Sequence, residues 1–312
     1  MVGNIKIGTR GSKLALWQAN WVKAALKAKH PLLAAELVTI KTKGDKILDT
    51  PLARIGGKGL FIKEIEDALL DGRIDLAVHS MKDMPAIIPD GLRIGAIPER
   101  ETPKDVLISK KGLLTELETG ACIGTSSVRR AAQLLHTRPD IVISPLRGNL
   151  DTRIRKLATE DIDAIVLAAA GIRRLGFVHK ITEYLDESVM LPAVGQGALC
   201  IEIKEDDAEV GSIVASLDHL ETRKVVMAER AFLNRLGGSC QVPIAALGKI
   251  DKNRFSICGL VADTDGATVI RNTLSGPVER AGEIGVELAE SLLAKGAKEI
   301  LVKLQDNTHG NY

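Results

Sequence analysis

Apolar and polar positions follow two rhythms along this chain. Ile5-Lys6-Ile7-Gly8 alternates with period two, as a strand does, and Thr9-Arg10-Gly11-Ser12 breaks the pattern as a turn. Ser12 stands where a helix N-cap belongs. Beyond it Leu14, Trp17, Trp21 and Leu26 recur at helical spacing and predict the apolar face of a helix. Leu37-Val38-Thr39-Ile40 predicts a second strand. Residues 61–70 predict a short helix with Ile62, Ile65, Ala68 and Leu69 on one face, and Ile74-Asp75-Leu76-Ala77-Val78 a third strand. Helices alternating with short β-rich runs predict a mostly parallel, helix-covered sheet.

The chain then echoes itself. Cys122-Ile123-Gly124-Thr125-Ser126-Ser127-Val128-Arg129 repeats the order of Lys6-Ile7-Gly8-Thr9-Arg10-Gly11-Ser12: a strand ending in Ile-Gly-Thr, then a polar turn into a helix. Ile162-Asp163-Ala164-Ile165-Val166-Leu167 likewise echoes Ile74-Asp75-Leu76-Ala77-Val78. Two similar α/β lobes in tandem would turn their helix N-termini toward a shared cleft, at the carboxyl ends of strands, where anions bind. Two Pro/Gly-marked segments, 97–103 and 191–197, read as crossings between lobes. A third unit follows: an amphipathic helix over 223–236, a Gly237-Gly238-Ser239-Cys240 loop, strands near 244–249, 255–261 and 267–274, and a helix near 278–295. The expected organisation is lobe 1 over 1–97 with 195–215, lobe 2 over 101–192, and a small C-terminal α+β domain over 219–312. The fold class is therefore α/β, two hinged lobes plus an α+β domain.

Composition narrows the function. At 312 residues, 45% hydrophobic and 26% charged, the chain can bury a sizeable core and is not disordered. The net charge of +2 gives no support to a global nucleic-acid or membrane-surface binder, and 3% aromatic residues leave few stacking platforms for single strands. No apolar run approaches a membrane span, and the first residues do not read as an export signal, so a cytosolic protein is expected. The four cysteines form no C-x-x-C and the six histidines have no ligand spacing, so no metal site is expected. Cys122, Cys200 and Cys258 sit in apolar runs and read as small buried hydrophobes. Cys240, among glycines, does not.

Four sets of residues carry potential chemistry. Arg10, Arg129, Arg130, Arg147, Arg153 and Arg174 all fall at or near predicted turns or element ends. A guanidinium forks onto a carboxylate or phosphate, and six of them point to an oligo-anionic ligand of either kind. Lys82 and Asp83 follow the third strand, where a cation beside a carboxylate could manage developing charge or move a proton. The stretch 46–59 contains Gly56-Gly57-Lys58-Gly59, but Leu52 and Gly59 stand where a phosphate loop needs Gly and Ser or Thr. It reads as a lid, with Lys58 and Phe61 near its base. The Cys240 loop would expose a thiol, and no histidine stands out as its base, which suits a covalent anchor better than a protease nucleophile.

At these residues the chain resembles the porphobilinogen deaminase family. The resemblance rests on Gly8-Thr9-Arg10-Gly11-Ser12, Gly56-Gly57-Lys58-Gly59-Leu60-Phe61, Val78-His79-Ser80-Met81-Lys82-Asp83, Gly124-Thr125-Ser126-Ser127-Val128-Arg129-Arg130, Leu146-Arg147-Gly148-Asn149, 191–197 and Gly237-Gly238-Ser239-Cys240-Gln241-Val242-Pro243. It implies a two-lobed periplasmic-binding-protein-like body with a third domain, and a cytosolic, monomeric tetrapyrrole-pathway transferase with no nucleic-acid or membrane partner. Such an enzyme joins four porphobilinogens head to tail, each losing ammonia, and releases the linear tetrapyrrole hydroxymethylbilane. The resemblance implies a dipyrromethane cofactor held by Cys240 through a thioether, with Asp83 catalytic toward a cationic azafulvene. It implies that Lys82, Asp83, Ser127, Arg129, Arg130, Arg147 and Gly148 hold the cofactor. Arg10, Ser12, Arg147, Arg153 and Arg174 would hold substrate carboxylates. Cys200 and Ala245 stand where the family commonly has glycine, which touches local packing. The competing class is a non-enzymatic two-lobed binding protein for an oligo-carboxylate or phosphate, which would not need Cys240. A nucleotide-binding transferase is disfavoured by the defective phosphate loop.

Overall fold

A computed structural model describes residues 3–46, 62–238 and 242–309. Lys58, Phe61 and Cys240 lie outside the described residues. The chain gathers into two compact units. One is the segment up to Glu101 with Gly197–Arg223, and the other is Thr102–Gln196 with the chain from Lys224 onward.

The first unit is built on strands β1 (Asn4–Thr9), β2 (Ala34–Thr39), β3 (Leu76–Ser80), β4 (Leu92–Ala96) and β10 (Leu199–Lys204), in the order β2-β1-β3-β10-β4. β1 runs parallel to β2 and β3, while β10 is antiparallel to both β3 and β4. The sheet is thus mixed rather than mostly parallel. Its fourth strand enters only after the chain has passed through the other unit, and so arrives from the opposite direction. Both faces are covered, as such sheets require. Ile5, Ile7, Leu76, Val78, Ile201 and Ile203 pack with Ala19, Val22 and Leu26 of the helix Lys13–Lys29. On another side, Ala77 packs with Ile65, Ala68 and Leu69 of the helix Lys63–Leu70.

The helix Lys13–Lys29 starts where its N-cap predicts: Ser12 Oγ accepts from Ala15 N at 3.3 Å. Its buried stripe differs from the expected one. Gln18, Ala19, Val22 and Leu26 face inward, while Trp17 and Trp21 stay more than a third exposed. Each of these side chains is smaller than an indole, so the helix can approach the sheet more closely than two tryptophans would allow.

In the second unit β5 (Asp105–Ser109), β6 (Cys122–Gly124), β7 (Val142–Ser144), β8 (Ala164–Ala168) and β9 (Glu183–Tyr184) form the order β7-β6-β8-β5-β9. β6 is parallel to β7 and β8, and β5 is antiparallel to β8 and β9. Position by position this is the topology of the first sheet, with β5 in the place of β10. The echo in the sequence falls on equivalent strands: Ile7-Gly8-Thr9 on β1 and Ile123-Gly124-Thr125 at the end of β6. Both glycines have a packing reason. A Cβ at Gly8 would overlap the Ile74 side chain, and one at Gly124 would press on Ile165 at 3.1 Å. The two lobes therefore share a strand end pressed against its neighbour's β-branched residue.

The same unit carries the antiparallel sheet β11 (Ile244–Asp251), β12 (Arg254–Ala262) and β13 (Val269–Pro277). Val225, Ala228 and Phe232 of the helix Leu220–Arg235 pack with Phe255, Ile257 and Val261 of β12 and with Ile284 and Leu288 of the helix Ala281–Leu292. Leu247, Leu260 and Ala262 instead meet Ala132 and Leu191. The predicted C-terminal strands and helix are all present. A further helix, Lys298–His309, follows Gly296, whose φ of +103° breaks the preceding helix. Cys200 is fully buried, whereas Cys122 and Cys258 are only partly covered. Among the described residues no helix is long and apolar enough to cross a membrane, and no His/Cys/Asp/Glu group could hold a metal ion.

Candidate functional site

Among the described residues, nearly all the predicted site residues lie just beyond the carboxyl ends of parallel strands. Arg10 and Ser12 follow β1, and Lys82 and Asp83 follow β3 on a single 3-10 turn, Met81–Asp83. In the other lobe Ser127, Arg129 and Arg130 follow β6, Arg147 and Gly148 follow β7, and Arg174 ends the helix Ala169–Arg174 that follows β8. Arg153 lies one turn into the helix Leu150–Thr159. Strand ends of an α/β sheet are where backbone donors and loop side chains gather.

In the first unit Arg10, Ser12 and Asp83 line a recess of about 80 Å³. Its walls include Arg10, Ser12, Gln18, His79, Ser80 and Asp83. Asp83 is exposed, and Arg10 and Ser12 are half-buried. Behind them Gln18 donates from Nε2 to Ser80 Oγ at 3.0 Å, which ties the first helix to the end of β3. The recess thus sets one carboxylate beside one guanidinium and several hydroxyl and amide groups. That set can hold an acidic ligand by its carboxylate and still present Asp83 to a donor or a cation.

In the second unit Ser127 caps the helix Val128–Thr137, accepting from Arg130 N at 3.5 Å. Arg129 and Arg130 are buried and share one carboxylate, that of Asp105, the first residue of β5. Arg130 donates from Nε and Nη2 to Asp105 Oδ1 at 3.0 and 2.7 Å, and Arg129 Nη1 lies 2.9 Å from Asp105 Oδ2. Each arginine also bonds a carbonyl: Arg129 that of Leu191 at 2.7 Å, Arg130 that of Val166 at 3.1 Å. Burial lowers the Arg129 pKa, with the Asp105 charge opposing the shift. Two guanidiniums against one carboxylate leave this trio one positive charge in excess, which suits an anionic ligand. Arg153 braces the neighbouring loop, donating from Nε to Gly148 O at 2.8 Å. Gly148 itself sits at a φ of +111°.

Several residues that organise the site gave little sign in the sequence. Asp105 looks like any acidic residue at the head of an apolar strand. Glu229 is fully buried and accepts from Gly195 N at 2.7 Å and Gly248 N at 2.9 Å, so it staples the 191–197 segment to β11. Gln133 accepts from Leu191 N at 2.8 Å and donates to Leu191 O at 3.0 Å. Gln18 was missed, because the expected stripe ran through Trp17 and Trp21; its helical spacing with Val22 and Leu26 is the signal that could have found it, since a polar residue in a buried stripe implies an internal bond. His79 is buried and paired with Glu202, as a histidine ending a core strand would be.

Residues 5–212 match the model of the porphobilinogen deaminase dipyromethane cofactor binding domain, and residues 224–294 match that of the porphobilinogen deaminase C-terminal domain. A porphobilinogen deaminase of Syntrophotalea carbinolica is 54% identical over 301 residues, covering 96% of each chain. One of Carboxydothermus hydrogenoformans is 52% identical over 306 residues, covering 98% of each. Among solved structures, the methionine binding protein MetQ aligns with a TM-score of 0.42 at 18% identity, over 71% of this chain and 93% of that one. With both family domains matched in order and relatives of this identity over almost the whole length, the chain belongs to the porphobilinogen deaminase family.

Proposed function

We propose that Asp83 is the catalytic carboxylate of this chain, that Arg10 and Ser12 hold substrate carboxylates beside it, and that Cys240 anchors the primer. The family's activity is a transferase step of tetrapyrrole biosynthesis, the assembly of hydroxymethylbilane from porphobilinogen on a dipyrromethane cofactor. The observation that carries the residue assignment is the recess that sets Asp83 beside Arg10 and Ser12.

Porphobilinogen bears acetate and propionate groups and an aminomethyl carbon that loses ammonia. Arg10 and Ser12 bind a carboxylate and fix the ring in the recess. Asp83 accepts a hydrogen bond from the pyrrole N–H. As the C–N bond breaks and ammonia leaves, the ring becomes cationic, and the Asp83 charge stabilises it more than it stabilises the neutral ring. After carbon–carbon bond formation the same carboxylate is placed to take the proton lost from the acceptor pyrrole carbon.

The residues present also fit the cofactor. The excess positive charge on the Arg129–Arg130–Asp105 trio, the Ser127 cap, and the Arg147-Gly148 turn offer donors for its acidic side chains, and Lys82 offers another beside Asp83. When bound, the dipyrromethane supplies the pyrrole carbon to which the first substrate is joined. Arg153 and Arg174 complete the set of substrate-binding cations, and Lys58 and Phe61 form the base of a lid. The proposal includes a monomeric enzyme of the cytoplasm with neither nucleic acid nor membrane as partner.

Incubating the purified protein with porphobilinogen tests this reading. Ammonia and hydroxymethylbilane should form together. A protein that binds porphobilinogen and releases neither would be a binding protein, and the enzymatic assignment would fail. Arg147→Leu removes a charge-assisted contact of about 1.5–3 kcal/mol and should weaken substrate or cofactor binding roughly ten- to a hundredfold. Arg147→Lys should also be impaired, because a point charge does not fork. Wild-type kinetics in both variants would remove Arg147 from the site.

A further inference from the structure

Behind the recess three ionisable side chains meet inside the first unit. His79 is the next-to-last residue of β3 and lines the recess. Its Nε2 lies 3.1 Å from Glu202 Oε2 on β10. Antiparallel register sets Glu202 opposite Ala77, two residues from His79 on the same face of the sheet. Glu66, from the helix Lys63–Leu70, comes in over them. Glu202 is fully buried and His79 and Glu66 are over nine-tenths buried. Among the described residues, Oε1 of Glu66 and Oε1 of Glu202 have no hydrogen-bond partner.

Two carboxylates facing one imidazole cannot all be charged in this setting without leaving a buried net negative charge, which costs several kcal/mol. The cluster therefore keeps a proton on one carboxyl. The other charged groups around it do not remove that need. Lys63 and Asp67, on the helix that carries Glu66, pair with each other at 3.1 Å. Arg10 and Asp83 face His79 from the recess with opposite charges.

We propose that Glu66, His79 and Glu202 form a buried proton store that opens on the recess through His79, and that Glu202 and Glu66 are positioning residues for the deamination step. This rests on the assignment of Asp83 and the recess to the reaction. Glu202 fixes the His79 ring in the wall beside Asp83. Glu66 holds the proton that limits the buried negative charge. The charge that Asp83 feels from that wall then depends on whether Glu66 is protonated. Burial, and after it the Glu202 charge, push the Glu66 carboxyl up to about 7, with His79 opposing. Glu66 thus gives up its proton near neutral pH.

Steady-state kinetics of the holoenzyme across pH, for wild type, Glu202→Gln and Glu66→Gln, test the proposal. Glu202→Gln should lower kcat roughly ten- to a hundredfold through a misplaced ring while KM stays close to wild type, since Glu202 does not touch substrate. Glu66→Gln should remove the inflection near pH 7 from the kcat profile. Unfolding by urea gives a readout independent of turnover. The folded Glu66 value lies above the unfolded 4.5, so its contribution is fully present below pH 4.5 and is lost as pH rises through about 7. Glu66→Gln should flatten that slope. If wild type makes hydroxymethylbilane and Glu66→Gln keeps both the inflection and the slope, the proposal is overturned and the functional reading stands. If Glu202→Gln does not fold, the two Glu66→Gln measurements decide alone. If wild type makes no tetrapyrrole, the functional reading fails, and the slope still reports whether the store exists.

Discussion

Asp83→Asn should lower kcat by roughly a hundred- to ten-thousandfold, the range spanned by a positioned acid or base, while the Kd for porphobilinogen changes far less. The substitution keeps the size of the side chain and much of its hydrogen bonding. It removes the negative charge. That charge matters little to a neutral pyrrole and much to the cation left when ammonia departs, so the loss falls on the transition state. Because Asp83 is exposed at the end of a 3-10 turn, folding should be unaffected. Asp83→Glu keeps the charge on a longer arm and should retain part of the activity. The measurement is single-turnover ammonia release with a parallel binding titration. An Asn variant that turns over like wild type would make Asp83 a bystander, and the cation would need another carboxylate.

Asp105→Asn should be the most destabilising conservative change in the second unit, by about 3–5 kcal/mol, the cost of stranding a buried charge by removing its partner. Here one carboxylate compensates two buried guanidiniums at 2.7–3.0 Å, so both lose their counter-charge together. Against a total stability of about 5–15 kcal/mol, much of the margin goes. Asp67→Asn is the control. Asp67 pairs with Lys63 on an exposed helix face, and such pairs contribute about 0.3–0.5 kcal/mol. Urea unfolding of the two variants should differ by several kcal/mol. Equal small losses would mean that the Arg129–Arg130 pair is compensated by other groups.

What the sequence made legible was local chemistry. Ser12 was readable as a cap because a hydroxyl before a helical run satisfies donors two or three residues on, and the cap at Ser127 falls in the polar turn that echoes it. The repeated Ile-Gly-Thr falls on equivalent strand ends, where a Cβ would be crowded by Ile74 in one lobe and by Ile165 in the other. The placement of the arginines was readable, since most of them fall near element ends as expected, but the pairing of Arg129 and Arg130 with one buried carboxylate was not. Long-range pairing was not legible. His79 meets Glu202 across 123 positions, and Arg130 meets Asp105 through a strand whose head carries no distinguishing pattern. The mixed sheet was missed for a related reason, since nothing local in residues 199–204 shows which neighbours they join. Helical spacing was ambiguous in another way. It gave a periodic stripe including Trp17 and Trp21, but close packing against the sheet selected the stripe through Gln18, Val22 and Leu26.

The central claim, that this chain builds tetrapyrroles on a primer held by Cys240, is tested most directly by intact mass before and after alkylation of the denatured protein. A thioether survives unfolding and reduction. The purified wild type should carry an excess mass equal to two linked pyrrole units, and after denaturation Cys122, Cys200 and Cys258 should alkylate while Cys240 stays blocked. Cys240→Ser should fold, carry no linked primer and make essentially no hydroxymethylbilane. A wild type without excess mass, labelled at all four cysteines yet fully active, would contradict the account.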